Sequence, residues 1–242
     1  MKNRLLLLVF FLLPLIGYGI DVELALLEKA KNGDTEAQYK LAEQYFENQE
    51  YEKAVYWLKI CAELGASYEY DIATDNFILY DGGETLEAKY RLGSCYHMGL
   101  GVKQDYNEAK RLYTLAAQNG LVDAQLALGH YLFNGYTGKK NDEEALSWFL
   151  MAAEKDNPEA QYYAGESFYY GYGTNIDYKE AVKWYLLAAE QGHAEAQNAL
   201  GHCYAMGEGV PYDMNEAEMW WTFAANKGNT EALLALENLE KE

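Results

Sequence analysis

The chain has 242 residues, 38 of them acidic and 19 basic, for a net charge of −19; half are hydrophobic and 15% are aromatic, including 23 tyrosines. So acidic a surface repels phosphate backbones and anionic headgroups, which excludes nucleic acid and favours a basic partner, and it also keeps a helical protein in solution. Three cysteines, an odd number, argue against a disulfide framework.

Residues 1–19 read as a cleavable export signal: Lys2 and Arg4 precede an apolar run from Leu5 to Ile16, and small residues Gly17 and Gly19 follow. The run is 12 residues long, against the about 20 that a spanning helix needs. Export with cleavage is therefore expected, leaving no membrane insertion, and an uncleaved N-terminal membrane anchor is the alternative. Cleavage would remove two positive charges and no acid.

Beyond the signal the chain is periodic. Ala88, Ala124, Ala160, Ala196 and Ala232 recur every 36 residues, and Ala109, Ala145, Ala181 and Ala217 each follow an anchor alanine by 21. A fixed period of this size is the mark of a stacked-repeat architecture. Apolar residues at helical spacing after each alanine predict two helices per repeat.

In chain order, 20–33 is predicted as an N-terminal capping helix and 34–65 as a first repeat anchored at Ala37 and Ala54. Those two alanines are only 17 residues apart, because the turn is four residues shorter. Residues 66–84 are an insert of 19 residues carrying Tyr68, Tyr70, Phe77, Ile78, Leu79 and Tyr80, with a turn signal at Asp81, Gly82 and Gly83. So long an excursion either packs back on the array or meets a partner. Repeats follow at 85–120, 121–156, 157–192 and 193–228, and 229–242 is a C-terminal capping helix.

Within these repeats, glycine pairs such as Gly99 and Gly101, or Gly207 and Gly209, are expected to end the first helix at positive φ. Gly138 beside Thr137 makes the third repeat's turn a departure. Asp105, Asn141, Asp177 and Asp213 stand three residues before Glu108, Glu144, Glu180 and Glu216, the spacing of a reciprocal capping box. Trp57, Trp148, Trp184 and Trp220 share one site three residues after the second alanine and are predicted to be core residues. Cys95 and Cys203 lie three repeats apart, beyond the roughly 7 Å that a disulfide spans between Cα atoms, and Cys61 is out of phase with Cys95. All three are expected as buried free thiols.

The run Ala196, Gln197, Asn198, Ala199, Leu200, Gly201, then Tyr204, Gly207, Gly209, Val210 and Pro211, then Ala217, Trp221, Ala224, Ala225 and Gly228 resembles the Sel1-like repeat family, relatives of tetratricopeptide arrays with a longer turn. The likeness covers about 34–242, and the first repeat looks more like a plain tetratricopeptide unit. The resemblance implies an all-α fold, an α/α superhelical solenoid, and a non-catalytic adaptor in a bacterial periplasm or secreted medium. It also implies that first helices line a concave face, with groove positions at −1, +2, +6, +9 and +10 from each anchor alanine.

Position −1 is acidic in every repeat: Glu36, Glu87, Asp123, Glu159, Glu195 and Glu231. An acid in a first turn is explained by the helix dipole alone. The other positions collect Tyr39, Glu43 and Phe46; Tyr90, His97 and Met98; Leu126, His130 and Phe133; Tyr162, Glu166, Tyr169 and Tyr170; and His202 with Met206. Aromatic side chains with polar tips, interleaved with acids, suit capture of a basic, partly apolar peptide or protein by a monomeric scaffold. His97, His130 and His202 lack the further ligands at fixed spacing that a metal would need, so neither metal nor cofactor is expected. Ser-x-x-Lys, Gly-x-Ser-x-Gly, His-Glu-x-x-His and phosphate-loop motifs are absent from the sequence, so no catalytic residue is assigned. The competing readings are an envelope enzyme or binder acting on β-lactam-like compounds, and a passive spacer.

Overall fold

The structure is a computed structural model that describes residues 24–64, 66–71, 76–81 and 83–239. The expected signal segment, the first residues of the N-terminal cap and the last three residues lie outside that range. The chain forms two compact units, which meet in sequence between Asn119 and Gly120.

In the first unit, α1 (24–31) is followed by α2 (Thr35–Glu47) and α3 (Tyr51–Leu64). Strand β1 (Ala66–Asp71) then pairs antiparallel with β2 (Asn76–Asp81), Ala66 opposite Asp81 and Asp71 opposite Asn76. Helices α4 (Gly83–Met98) and α5 (Tyr106–Gln118) complete the unit. The insert is therefore a β-hairpin within a helical array. Its sequence carried the sign, since Ser67 to Asp71 alternates aromatic and polar residues at the period of a strand. Leu41, Ala42, Val55, Leu58, Cys61, Leu92 and Cys95 form this unit's core.

The second unit is a run of α6 (Val122–Asn134), α7 (Asp142–Ala153), α8 (Pro158–Tyr170), α9 (Tyr178–Glu190), α10 (Ala194–Met206), α11 (Met214–Asn226) and α12 (Thr230–Leu239), each packed on the next. Both alanines of every repeat explain the closeness of the helices. Ala124, Ala145, Ala160, Ala181, Ala196, Ala217 and Ala232 have no solvent exposure. Where one backbone lies against another, nothing larger than a methyl fits.

In the last three repeats the large core ring is not the predicted one. Trp57 is buried, but Trp148, Trp184 and Trp220 are only half-buried, which corrects the expectation that all four belong to the core. The fully enclosed ring comes one residue later, at Tyr113, Phe149, Tyr185 and Trp221. Helical geometry accounts for this: a side chain four residues on lies about 40° from the alanine's line, and one three residues on about 60° to the other side. Each enclosed ring covers a glycine of its partner helix. A Cβ at Gly93, Gly129, Gly165 or Gly201 would stand 2.9, 2.5, 2.5 or 2.6 Å from the ring of Tyr113, Phe149, Tyr185 or Trp221.

The turns close by hydrogen bonds that sequence spacing did not foresee. Asp105, Asn141, Asp177 and Asp213 cap the second helices, their side chains accepting from backbone N–H groups of the first turn. The reciprocal half of the predicted box is absent. The backbone N–H of each capping residue instead donates to the carbonyl nine residues earlier, on Tyr96, Leu132, Phe168 or Tyr204. Glu108 is then free to bind Arg111, and Glu180 to bind Lys183. Gly209, at φ 75°, packs so tightly on the previous repeat that a Cβ would lie 2.1 Å from the carbonyl oxygen of Tyr178.

The glutamine beside the anchor alanine ties successive repeats together. Nε2 of Gln38, Gln161 and Gln197 donates to the carbonyls of Ala30, Ala153 and Ala189 at 3.0, 3.2 and 3.0 Å. Those carbonyls lie at the end of the preceding helix, where the helix itself supplies no donor. Cys61, Cys95 and Cys203 are free and buried, as the sequence predicts, and burial pushes their thiols up to about 11, 12 and 12.

Candidate functional site

In the second unit the residues predicted at groove positions of α8 and α10 converge on one cavity of about 510 Å³. Tyr162, Glu166, Tyr169 and Tyr170 reach it from α8, and His202 and Met206 from α10. Helical spacing puts each set on one face. Glu195 joins from the first turn of α10 and Glu231 from that of α12. Both had been explained by the helix dipole alone, yet they border the cavity too.

Four further lining residues, Tyr185, Asn198, Ala199 and Asn229, escaped the sequence reading. Tyr185 comes from the second helix of its pair, α9, which the groove rule did not include. Asn198 occupies the same repeat position as Tyr39, Tyr90 and Tyr162, so the period itself pointed to it. Asn229 caps α12, its Oδ1 accepting from the Ala232 N–H at 2.9 Å.

The cavity is rich in acceptors. Tyr185 Oη donates to Glu166 Oε1 at 2.7 Å, and Tyr169 Oη donates to Glu208 Oε2 at 2.5 Å. Asn198 Nδ2 donates to Glu231 Oε2 at 3.1 Å. Three of the lining side chains, Tyr169, Tyr185 and Asn198, thus already donate to carboxylates, and no Lys or Arg lines the cavity. Burial raises the carboxyl of Glu166 above the usual range, the tyrosine hydroxyls offset part of that, and Glu231 adds to it. Burial lowers the imidazole of His202, and Glu231 opposes that shift.

The sign of the Glu166 shift gives a measurable result. A carboxyl whose pKa is higher folded than unfolded destabilises the fold above that folded pKa, and the penalty fades as the pH falls through it. Glu166→Gln, which keeps an acceptor for Tyr185, is therefore expected to unfold no earlier than the parent at pH 7. Any advantage should shrink as the pH is lowered through the carboxylate range. A melting point that falls at pH 7 would show that the charge of Glu166 supports the fold.

The other predicted residues lie elsewhere. His130 and Phe133, in the second unit, are not among the cavity's lining residues. His130 Nε2 stands 3.5 Å from Glu159 Oε1, with its ring 4.3 Å from that of Tyr163. Phe133 sits 5.2 Å from the Tyr172 ring and beneath the Lys140 ammonium. In the first unit, Tyr39, Glu43 and Phe46 border a smaller cavity of about 140 Å³. Arg91 shares it, with Nη2 3.5 Å from Glu43 Oε1, so that acid already has a cation. The Tyr90 ring lies 5.9 Å from that of Tyr113 and the His97 ring 5.5 Å from that of Tyr106, while Met98 is exposed. Among the described residues, no three His, Cys, Asp or Glu side chains are grouped to hold a metal ion, and no helix is long and apolar enough to cross a membrane.

The Sel1 repeat profile matches five segments: 35–65, 86–121, 122–157, 158–193 and 194–229. The chain belongs to the Sel1 repeat family. It is similar to c5321, a protective antigen present in uropathogenic Escherichia coli strains that displays this repeat fold, with 32% identity over 90% of the chain and a TM-score of 0.79. The chain spans only 43% of that protein's length. It is also similar to a Sel1 repeat protein of Oxalobacter formigenes, at 29% identity, 83% coverage of this chain, 72% of the other, and a TM-score of 0.69. The repeats thus build an all-α solenoid fold, here interrupted by the hairpin. Sel1 repeat proteins are generally protein-interaction scaffolds, typically without enzymatic activity.

Proposed function

We propose that this Sel1 repeat protein is an exported, non-catalytic scaffold that captures a basic, partly apolar polypeptide on the first-helix face of its repeats. The observation that carries this reading is the cavity where Tyr162, Glu166, Tyr169, Tyr170 and His202 meet. Tyrosine rings there offer apolar area, and three carboxylates offer charge of one sign. Such a surface selects a cationic partner by long-range attraction and holds it by aromatic contact. The site residues His130, Phe133, Tyr90, His97 and Met98 extend the same reading to neighbouring repeats. The apolar run Leu5 to Ile16 supports export.

Tyr170 and Met206 are the sharpest probes, because 52% and 69% of their surface is exposed and neither belongs to the core. Their joint replacement by Ala is expected to leave the unfolding free energy within about 1 kcal/mol of the parent's. Capture of a basic polypeptide in a crosslinking assay should fall at least about fivefold. Undiminished capture would remove this face as the binding surface. Retention of the N-terminal segment on the mature protein would overturn the proposed cleavage.

A further inference from the structure

Resting on the scaffold reading, we propose that the second unit's cavity is an anchor site for one arginine side chain of the partner, whose guanidinium lies among the tyrosine rings and donates to the carboxylates. The cavity's charge is one-sided. Glu166, Glu195 and Glu231 bring carboxylates, and the hydroxyls of Tyr169 and Tyr185 are already donating to acids. An anion would find neither a cation nor a spare hydroxyl from those two tyrosines.

Asn198 gives independent support. It is 6% exposed, it lines the cavity, and its Oδ1 has no hydrogen-bond partner among the described residues while its Nδ2 is held by Glu231. That oxygen is closed to solvent, so a small turn of the Asn198 side chain would be needed to bring it to a ligand; a buried acceptor without a donor is costly, and a ligand rich in N–H groups would reward that turn. Arginine has five N–H donors and no acceptor, in a plane that stacks on aromatic faces and matches a carboxylate edge. Lysine offers a rounder, more strongly hydrated head that uses ring faces and paired acceptors less well. A cavity of about 510 Å³ has ample room for a guanidinium and its methylene stem. The half-buried charge of Glu166 would recover in the guanidinium the stabilisation that water no longer supplies.

The test uses the whole chain and small probes, so it does not depend on knowing the partner. N-acetyl-arginine N-methylamide, its lysine counterpart and its neutral citrulline isostere are titrated by calorimetry or by amide shifts in α8 and α10. The arginine probe is expected to saturate and to bind at least about tenfold more tightly than citrulline. Glu166→Gln and Glu231→Gln should each weaken it severalfold, with helix content unchanged. Tyr170→Ala, at an exposed site, is the variant that cannot fail merely by unfolding, and it too should weaken binding. Equal binding of citrulline, tighter binding of lysine, or indifference to all three substitutions would overturn the anchor. Capture of a basic polypeptide that survives Glu166→Gln and Glu231→Gln would likewise overturn the anchor while leaving the scaffold reading intact. Arginine-selective binding without capture of any polypeptide would support the anchor and sink the scaffold reading.

Discussion

Phe149→Ala is expected to destabilise the second unit by about 3–5 kcal/mol, the range for an aromatic core residue cut to alanine. Its ring is 1% exposed, lies against Gly129 and stacks on Tyr163 with centroids 5.2 Å apart. Gly129 has no side chain with which to refill the space, so the cavity would stay open. Trp148→Ala, one residue away, removes more atoms from a half-buried position and is expected to cost well under about 3 kcal/mol. Chemical denaturation of the two variants side by side decides the matter. Equal losses, or a larger loss at Trp148, would show that the enclosed ring has been assigned one residue too late.

Gly209→Ala is expected to cost about 2–5 kcal/mol, from two additive sources. The backbone there sits at φ 75°, which penalises any L side chain by about 1–2 kcal/mol. A new Cβ would also meet the Tyr178 carbonyl at 2.1 Å, a backbone atom at the start of α9 that cannot swing aside, for about 1–3 kcal/mol more. Gly228→Ala separates the two sources. Gly228 has φ 89° with nothing within 4 Å of a Cβ, so only the conformational part should appear. Thermal or denaturant unfolding that ranks the two variants equally would mean that the repeat-to-repeat contact at Gly209 yields easily.

Much of this molecule was legible because a repeat states its own pattern several times over. The 36-residue step named the helix pairs and located both buried alanines, and the glycine spacing announced the positive-φ turns. The groove positions that the family resemblance implies, counted from the anchor alanines, found most of one cavity: Tyr162, Glu166, Tyr169 and Tyr170 on α8, and His202 and Met206 on α10. It failed where the outcome depended on distances between elements. Whether Trp148 or Phe149 enters the core turns on tens of degrees of helix rotation, which spacing alone does not resolve. The reciprocal capping box failed because a carbonyl nine residues upstream accepts the same N–H.

The hairpin at 66–81 was missed for another reason. The insert carried no secondary-structure assignment, because the repeat pattern that located the helices does not extend into it; the strands follow its own two-residue alternation.

From local chemistry alone, the chain's residues set its helix pairs, its all-α repeat class, its turn glycines and its acidity, since each follows from side-chain type and spacing along one strand of polymer. Only the packed structure determined which ring covers each glycine, that Arg91 already neutralises Glu43, and that Tyr185, Asn198 and Glu231 complete the acceptor-rich cavity. Those outcomes depend on side chains far apart in the chain arriving within a few ångströms of one another. Helix rotation and register, which no single repeat encodes, decide which of them meet.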